Sequence, residues 1–147
     1  MQKYSVEELV PHSGRMSLLS RVTVVEGDSL FAEVDIHEGA TFAEQNGVPA
    51  WVGLEYLAQA IGAYAGYQER TQDGVPKIGF LLGTRKYSCN CEYFPLGTTL
   101  TLKVTRNMQA DNGLSAFDGE LYAEGINASA RLNVFQPDNA EEFLKEA

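Results

Sequence analysis

The sequence predicts an α+β domain in which a curved, antiparallel six-stranded sheet wraps one long central helix. Three observations predict it. The chain has 147 residues, 44% of them apolar, enough for one domain with a substantial core spanning 1–147 and too few for two. Between Pro49 and Gln68 there is one charged residue, Glu55, and no further proline. On both sides of that stretch, apolar and polar residues alternate with the period of two that marks strands.

Taken in order, Ser5 to Glu8 has capping-box spacing, and Pro11 stops that helix after about one turn. His12 to Arg15 reads as a loop. Val22, Val24, Leu30, Ala32, Val34 and Ile36 alternate with polar residues around Gly27-Asp28, which predicts a β-hairpin. After a loop from Gly39 to Val48 the helix is expected to start at Pro49 or Ala50, because proline's fixed φ suits the first helical position, and to end near Arg70. Val52, Tyr56, Ala60, Ala63 and Tyr67 repeat at helical spacing. Leu54, Leu57, Ala58, Ile61, Ala65 and Gly66 make the adjacent stripes apolar too, so the helix is expected to be buried on nearly every side. Gly53, Gly62 and Gly66 each weaken a helix by ~1 kcal/mol relative to Ala, which a close approach by a sheet or a second helix should offset.

Beyond the helix, Thr71 to Pro76 is turn chemistry and Lys77 to Gly83 begins a strand. Phe94 to Gly97 is a turn before a strand over Thr99–Asn107. Asp111-Asn-Gly113 is a hairpin turn before Leu114–Tyr122, and Glu124-Gly125 links to Ile126–Phe135. Residues 138–147 read as a short acidic tail or helix, and the chain contains no repeat, low-complexity segment or linker. One small sheet face cannot cover a helix that is apolar all round, whereas a curved sheet on one side and a second subunit on the other can. That is the hot-dog arrangement.

A formal net charge of -9 argues against nucleic acid or an anionic membrane as a bulk partner, since both need a basic face. No apolar run approaches the ~20 residues of a spanning helix, and the N-terminus has neither a basic nor an apolar leader region, so a cytoplasmic protein is expected. Cys89 and Cys91 form C-x-C, whose side chains point to one face of a strand. A disulfide there would be strained, and with His12 and His37 as the only histidines a metal would lack ligands; reduced, partly buried thiols are the reading.

Glu55 is the residue that asks for chemistry. An unpaired carboxylate buried in an apolar helix costs several kcal/mol, so this acid is raised in pKa, hydrogen-bonded, facing a cavity, or on an exposed edge near the helix N-terminus. The first three describe a site acid or base, and the last describes a surface residue.

Two stretches resemble the 3-hydroxyacyl-acyl-carrier-protein dehydratases of type II fatty acid synthesis, the FabA/FabZ class. Pro11-His12 followed by Leu18-Leu19-Ser20-Arg21-Val22 is similar to the family's opening P-H-R-Y-P-F-L-L-V-D-R-V. The family's H-F-P-G-H-P-V-M-P-G, then four residues, then the catalytic acid in E-A-M-A-Q, lies over Thr41 to Ala50, then four residues, then Glu55-Tyr-Leu-Ala58-Gln59. Phe42, Pro49, Glu55, Ala58 and Gln59 are kept, and Pro95-Leu-Gly97 resembles the family's P-G turn. With GLEYLAQAIGAYAG and GFLLGTR, the overall pattern most resembles the ApeP-type branch, dehydratases found with aryl polyene pigment synthesis.

The departures bear on mechanism. The family's catalytic histidine falls on Thr41, and the glycine at the helix start falls on Ala50. In the family that histidine removes the α-proton of the thioester while the acid, delivered by the other subunit, protonates the leaving hydroxyl, and an amide at the helix start holds the thioester oxygen. Carried over residue by residue, the resemblance implies Glu55 as acid and Ala50, Trp51, Thr41, Phe42 and Gln59 as substrate contacts, with no organic cofactor and no metal. Thr41 cannot act as base. Either a partner hot-dog subunit supplies the histidine in a heterodimer, or His37, four residues from Thr41, replaces it in a homodimer; His12 aligns with a non-catalytic histidine. The implied partner is an acyl carrier protein with a phosphopantetheine-linked acyl group, and Arg15, Lys77, Arg85 and Lys86 are candidates for docking that acidic protein. Phe42, Trp51, Tyr56, Tyr64 and Phe80 suit a flat conjugated acyl chain and equally suit an ordinary core. Two other functions compatible with the same residues are a hot-dog thioesterase, which uses a lone helix carboxylate to direct water, and a non-catalytic partner subunit.

Overall fold

The computed structural model describes residues 18–71, 80–109 and 114–135. The expectations for Ser5–Glu8, His12, Arg15, the Asp111–Gly113 turn, Lys77 and the acidic C-terminal segment lie outside the described residues. Strands β1 (Arg21–Glu26) and β2 (Ser29–Asp35) form the first hairpin, turning at Gly27-Asp28. The short strand β3 (Val48–Pro49) precedes the helix α1 (Val52–Thr71), and β4 (Phe80–Cys89), β5 (Tyr93–Phe94), β6 (Thr99–Gln109), β7 (Leu114–Ala123) and β8 (Ile126–Phe135) follow. Six strands make one antiparallel sheet in the order β1-β2-β6-β7-β8-β4, and β3 pairs with β5 as a separate two-stranded ribbon. The hot-dog reading of the sequence agrees with this architecture.

The period of two sets the buried face. Leu30, Ala32 and Val34 of β2 pair with Val104, Leu102 and Leu100 of β6, and all six are buried. Leu102 pairs with Leu121 of β7, and Leu121 with Ala128 of β8, extending the same face across the sheet. Its centre is built small: Gly119 stands opposite Ala130, and a Cβ on Gly119 would come within 3.1 Å of Leu57 of the helix. Small residues there let α1 sit close to the strands, where Tyr56, Leu57, Ala60, Ile61, Ala63 and Tyr64 are buried. Tyr64 donates to the Gly27 carbonyl at 3.2 Å, and the Arg106 guanidinium lies 5.3 Å from its ring while bonding Asp28, which fixes the first hairpin to the helix.

One expectation about the helix is corrected, its start, and two are met in part within a single chain. Pro49 does not open it: Pro49 is in β3, paired with Tyr93, and α1 begins at Val52. Proline suits that place as well, because a two-residue strand asks little of its missing N–H. The helix is also not buried all round in one chain. Trp51 is 59% exposed, Glu55 is exposed, and Leu54, Ala58, Gly62 and Ala65 are half-buried, so one stripe faces away from the sheet. Of the glycines, Gly53 has the expected close neighbour, since an added Cβ would meet the Tyr87 hydroxyl at 2.3 Å, but Gly62 opens onto empty space within the single chain.

Candidate active site

Between the end of β2 and the start of α1 the chain makes a loop over residues 36–47 whose carbonyls and amides are largely consumed locally. Ala40 N–H donates to the His37 carbonyl, Ala43 N–H to Ala40, and Glu44 pairs with Gly47 in both directions. Phe42 adopts φ +71°, the left-handed region, and no other non-glycine residue does so among the described residues. Such a conformation costs of order 1–3 kcal/mol and persists where surrounding structure imposes it. Here it turns the Phe42 ring outward, 43% exposed, to meet Trp51 edge-on with centroids 5.6 Å apart. The two aromatic residues predicted as substrate contacts therefore form one exposed pair at the helix start.

Behind this loop lies a cavity of about 180 Å³, lined by Leu18, Ser20, Asp35, His37, Thr41 and Tyr56 among others. Thr41 and His37 both line this cavity. Asp35 at its rim is held below the ordinary carboxylate range, first by its hydrogen bonds from Arg21, which donates to both its oxygens at 2.8 and 2.9 Å, and further by Thr99. Burial pushes the Tyr56 hydroxyl up to about 12, so this wall of the cavity carries a phenol that keeps its proton.

His37 lies on the cavity wall beside the turn after β2, where its Nδ1 accepts the Gly39 N–H at 3.1 Å.

Glu55 is on a different side. Tyr56, its neighbour, faces the cavity and the core, whereas Glu55 is exposed and does not line the cavity. One residue along a helix is a rotation of about 100°, so Glu55 and Tyr56 leave α1 in different directions. Gln59 is 7% exposed, and its Oε1 accepts the Leu18 N–H at 2.8 Å, tying the segment before β1 to the helix.

The start of the helix is held by residues that sequence reasoning missed. Ala50 N–H donates to the Glu92 carbonyl at 2.9 Å, and the Ala50 carbonyl accepts both the Tyr87 hydroxyl at 2.6 Å and the Gly53 N–H at 3.0 Å. The Ala50 amide expected to hold a thioester oxygen is therefore spent on β5's approach. The next amides, of Trp51 and Val52, belong to the group that every helix leaves without an intrahelical acceptor. Tyr87 lies on an alternating strand and gives no local signal of this role; Gly53, a glycine in a helix where nothing local asks for one, is the trace it leaves in the sequence.

Among the described residues no cluster of three or more His, Cys, Asp or Glu side chains could hold a metal, and no helix is long and apolar enough to cross a membrane.

Comparison with known proteins agrees with this geometry. One chain of the dehydratase heterocomplex ApeI:P from Xenorhabdus doucetiae superposes with a TM-score of 0.87 at 26% identity, covering 98% of this chain and 97% of that one. Zebra fish thioesterase superfamily member 2 superposes at 0.64 with 12% identity over 86% and 87% of the two chains, and the Escherichia coli PaaI protein of the phenylacetic acid degradation operon at 0.60 with 11% over 78% and 77%. These last two share the fold. No functionally curated protein matches the chain in sequence. The model of the ApeP-like family, ApeP dehydratases, matches residues 4–145, and with a hot-dog sheet, a carboxylate on the central helix and a loop cavity ahead of it, this chain belongs to the ApeP-like dehydratase family.

Proposed function

We propose that this chain supplies the acid half of a dehydration site that a second hot-dog subunit completes with a histidine. The observation that carries the reading is the placement of Glu55: the acid of the helix's first turn is exposed, on a stripe with the half-buried Ala58, Gly62 and Ala65, and does not line the chain's own loop cavity. Thr41 offers no base in that cavity, and His37 Nδ1 accepts the Gly39 N–H. Within one chain the acid thus stands apart from the cavity that Thr41 and His37 line. The similar Xenorhabdus chain comes from a dehydratase heterocomplex, which supports a hetero-oligomeric assembly.

In the reaction, the partner's histidine removes the α-proton of a (3R)-hydroxyacyl thioester on an acyl carrier protein. Glu55 gives its proton to the 3-hydroxyl, and water leaves to form the trans-2-enoyl thioester. The partner surface laid over the Glu55 stripe excludes bulk water from the reacting groups. The amides of Trp51 and Val52 at the helix start stabilise charge developing on the thioester oxygen, and the Phe42–Trp51 pair meets the acyl chain at the mouth. The substrate class is that of fatty acid or aryl polyene synthesis, and the carrier protein is the delivering partner.

The test is to co-purify the chain with a histidine-bearing hot-dog subunit and follow carrier-bound 3-hydroxyacyl substrate by intact mass, with Glu55→Gln beside the wild type. Loss of water in the wild type and its loss by ~10²-fold or more in the variant is the expected result. Full activity of Glu55→Gln would show that the chain acts as a scaffold, and release of free acid and thiol would make the pair a thioesterase.

A further inference from the structure

The segment joining β4 to β5 carries the two cysteines, and their geometry is unlike that of an extended strand. Residues two apart on a straight strand have Cα atoms ~6.6 Å apart, at the far edge of what a disulfide tolerates. Strand β4 ends at Cys89, however, and the chain bends at Asn90. The two sulfurs lie 3.7 Å apart, in contact, both thiols free and half-buried. The bend is pinned from outside. Asn90 N–H donates to the Asn127 carbonyl at 3.1 Å, Asn90 Nδ2 to the Gly125 carbonyl at 3.3 Å, and Asn90 Oδ1 accepts the Asn127 N–H at 3.0 Å. A side chain that makes two bonds to the β7–β8 turn holds the peptide between the cysteines in one conformation, so the sulfur contact is built into the fold.

We propose that Cys89 and Cys91 form a thiol–disulfide exchange site, closing to an intrachain disulfide against small-molecule disulfides and reopening with thiols. One cysteine sulfur, as thiolate, attacks one sulfur of the small disulfide; the S–S bond breaks, a mixed disulfide forms and one thiol leaves. The other cysteine loses its proton, attacks the protein sulfur of the mixed disulfide and expels the second thiol. Net, two cysteine thiols and one small disulfide give one protein disulfide and two small thiols. Either sulfur can open the exchange, since the two are in contact and both half-buried. Ring closure across one residue remains strained, which places the disulfide among the readily reduced kind. A metal is the poorer occupant, since no third Cys, His, Asp or Glu joins the pair among the described residues.

The site has a direct route to the helix start. The residue two before Cys89 is Tyr87, which bonds the Ala50 carbonyl, and the residue after Cys91 is Glu92, whose carbonyl takes the Ala50 N–H. Drawing the sulfurs from 3.7 Å to the ~2.05 Å of a bond pulls on the short link to Glu92 and loosens that clamp.

The experiment incubates the reduced full-length chain with glutathione disulfide and reads intact mass, alkylatable thiols and amide exchange around Ala50. Expected are a mass lower by two hydrogens without an adduct, loss of both alkylatable thiols, faster exchange at Ala50 and full reversal by dithiothreitol. Cys91→Ser is expected to stop at a persistent single glutathione adduct on Cys89, which a pair that merely packs would not distinguish from the wild type. Two stable adducts per wild-type chain, a disulfide-linked dimer, or thiols that stay alkylatable would each overturn the proposal.

Discussion

Gly53→Ala tests whether Tyr87 locks the helix start. The added Cβ would sit 2.3 Å from the Tyr87 hydroxyl and 3.1 Å from Phe94 Cζ, both inside contact distance. Tyr87 is a stiff ring whose hydroxyl is bonded to the Ala50 carbonyl at 2.6 Å, so it can yield only by breaking that bond. Losing it costs the Ala50 carbonyl one of its two hydrogen bonds, ~0.5–1.5 kcal/mol with the Gly53 N–H still in place, and overpacking against Phe94 adds ~1–3 kcal/mol. Ala is the better helix former by ~1 kcal/mol, which leaves a net loss of roughly 0.5–3.5 kcal/mol. In urea, with a slope of ~2 kcal/mol/M, the midpoint falls by roughly 0.3–1.8 M at unchanged slope, measured at one protein concentration so that assembly does not enter. The decisive step is the cycle with Tyr87→Phe. Removing the hydroxyl vacates the tightest contact, so Gly53→Ala costs distinctly less in that background, with a coupling of ~1–3 kcal/mol. Additive effects, or a neutral Gly53→Ala, would refute the argument that this glycine exists to admit the tyrosine.

Other outcomes follow from the same coordinates. Gly47→Ala is expected to destabilise more than Gly53→Ala, because φ there is +117° and the new Cβ would lie 2.1 Å from the Phe94 carbonyl oxygen, a backbone atom with no rotamer to escape into; urea midpoints check it. Thr41→His places an imidazole in the loop cavity, and in the co-purified complex it is expected to raise turnover at least about twofold by giving a second site its base, read by intact mass. Asp35, whose pKa the Arg21 bonds depress, contributes stability that is whole above the unfolded carboxylate value of about 4 and is lost as pH falls below it. Asp35→Asn should therefore lower stability at neutral pH and flatten its decline between about pH 4 and pH 2, in urea titrations at each pH; because the pair is largely exposed, the effect is small. Trp51→Ala should leave the urea midpoint of the chain within about 0.5 kcal/mol and raise KM for the acyl substrate, since the side chain packs outward.

Local sequence alone determined most of the architecture. Alternation over Val22 to Ile36 and Thr99 to Phe135 determined strands and their buried face, because a period of two leaves only one way to turn the apolar set inward. The Gly27-Asp28 and Glu124-Gly125 turns placed two hairpins at the registers observed. A charge-poor stretch broken only by Glu55 determined the central helix, and the spacing from Thr41 to Glu55 pointed to the family. What only the tertiary structure decided is where these residues face. The direction of Glu55 depends on which helix stripe the sheet claims, and Gly119, on a strand far along the chain, leaves room for Leu57 there. The Ala50 N–H donates to the Glu92 carbonyl and the Ala50 carbonyl accepts the Tyr87 hydroxyl because both arrive from the segment after the helix, Gln59 is engaged because Leu18 lies beside it, and His37 Nδ1 accepts the Gly39 N–H because the loop curls back onto it. Pattern fixes which side of an element is apolar; the partner of each hydrogen-bonding atom is chosen by segments tens of residues away.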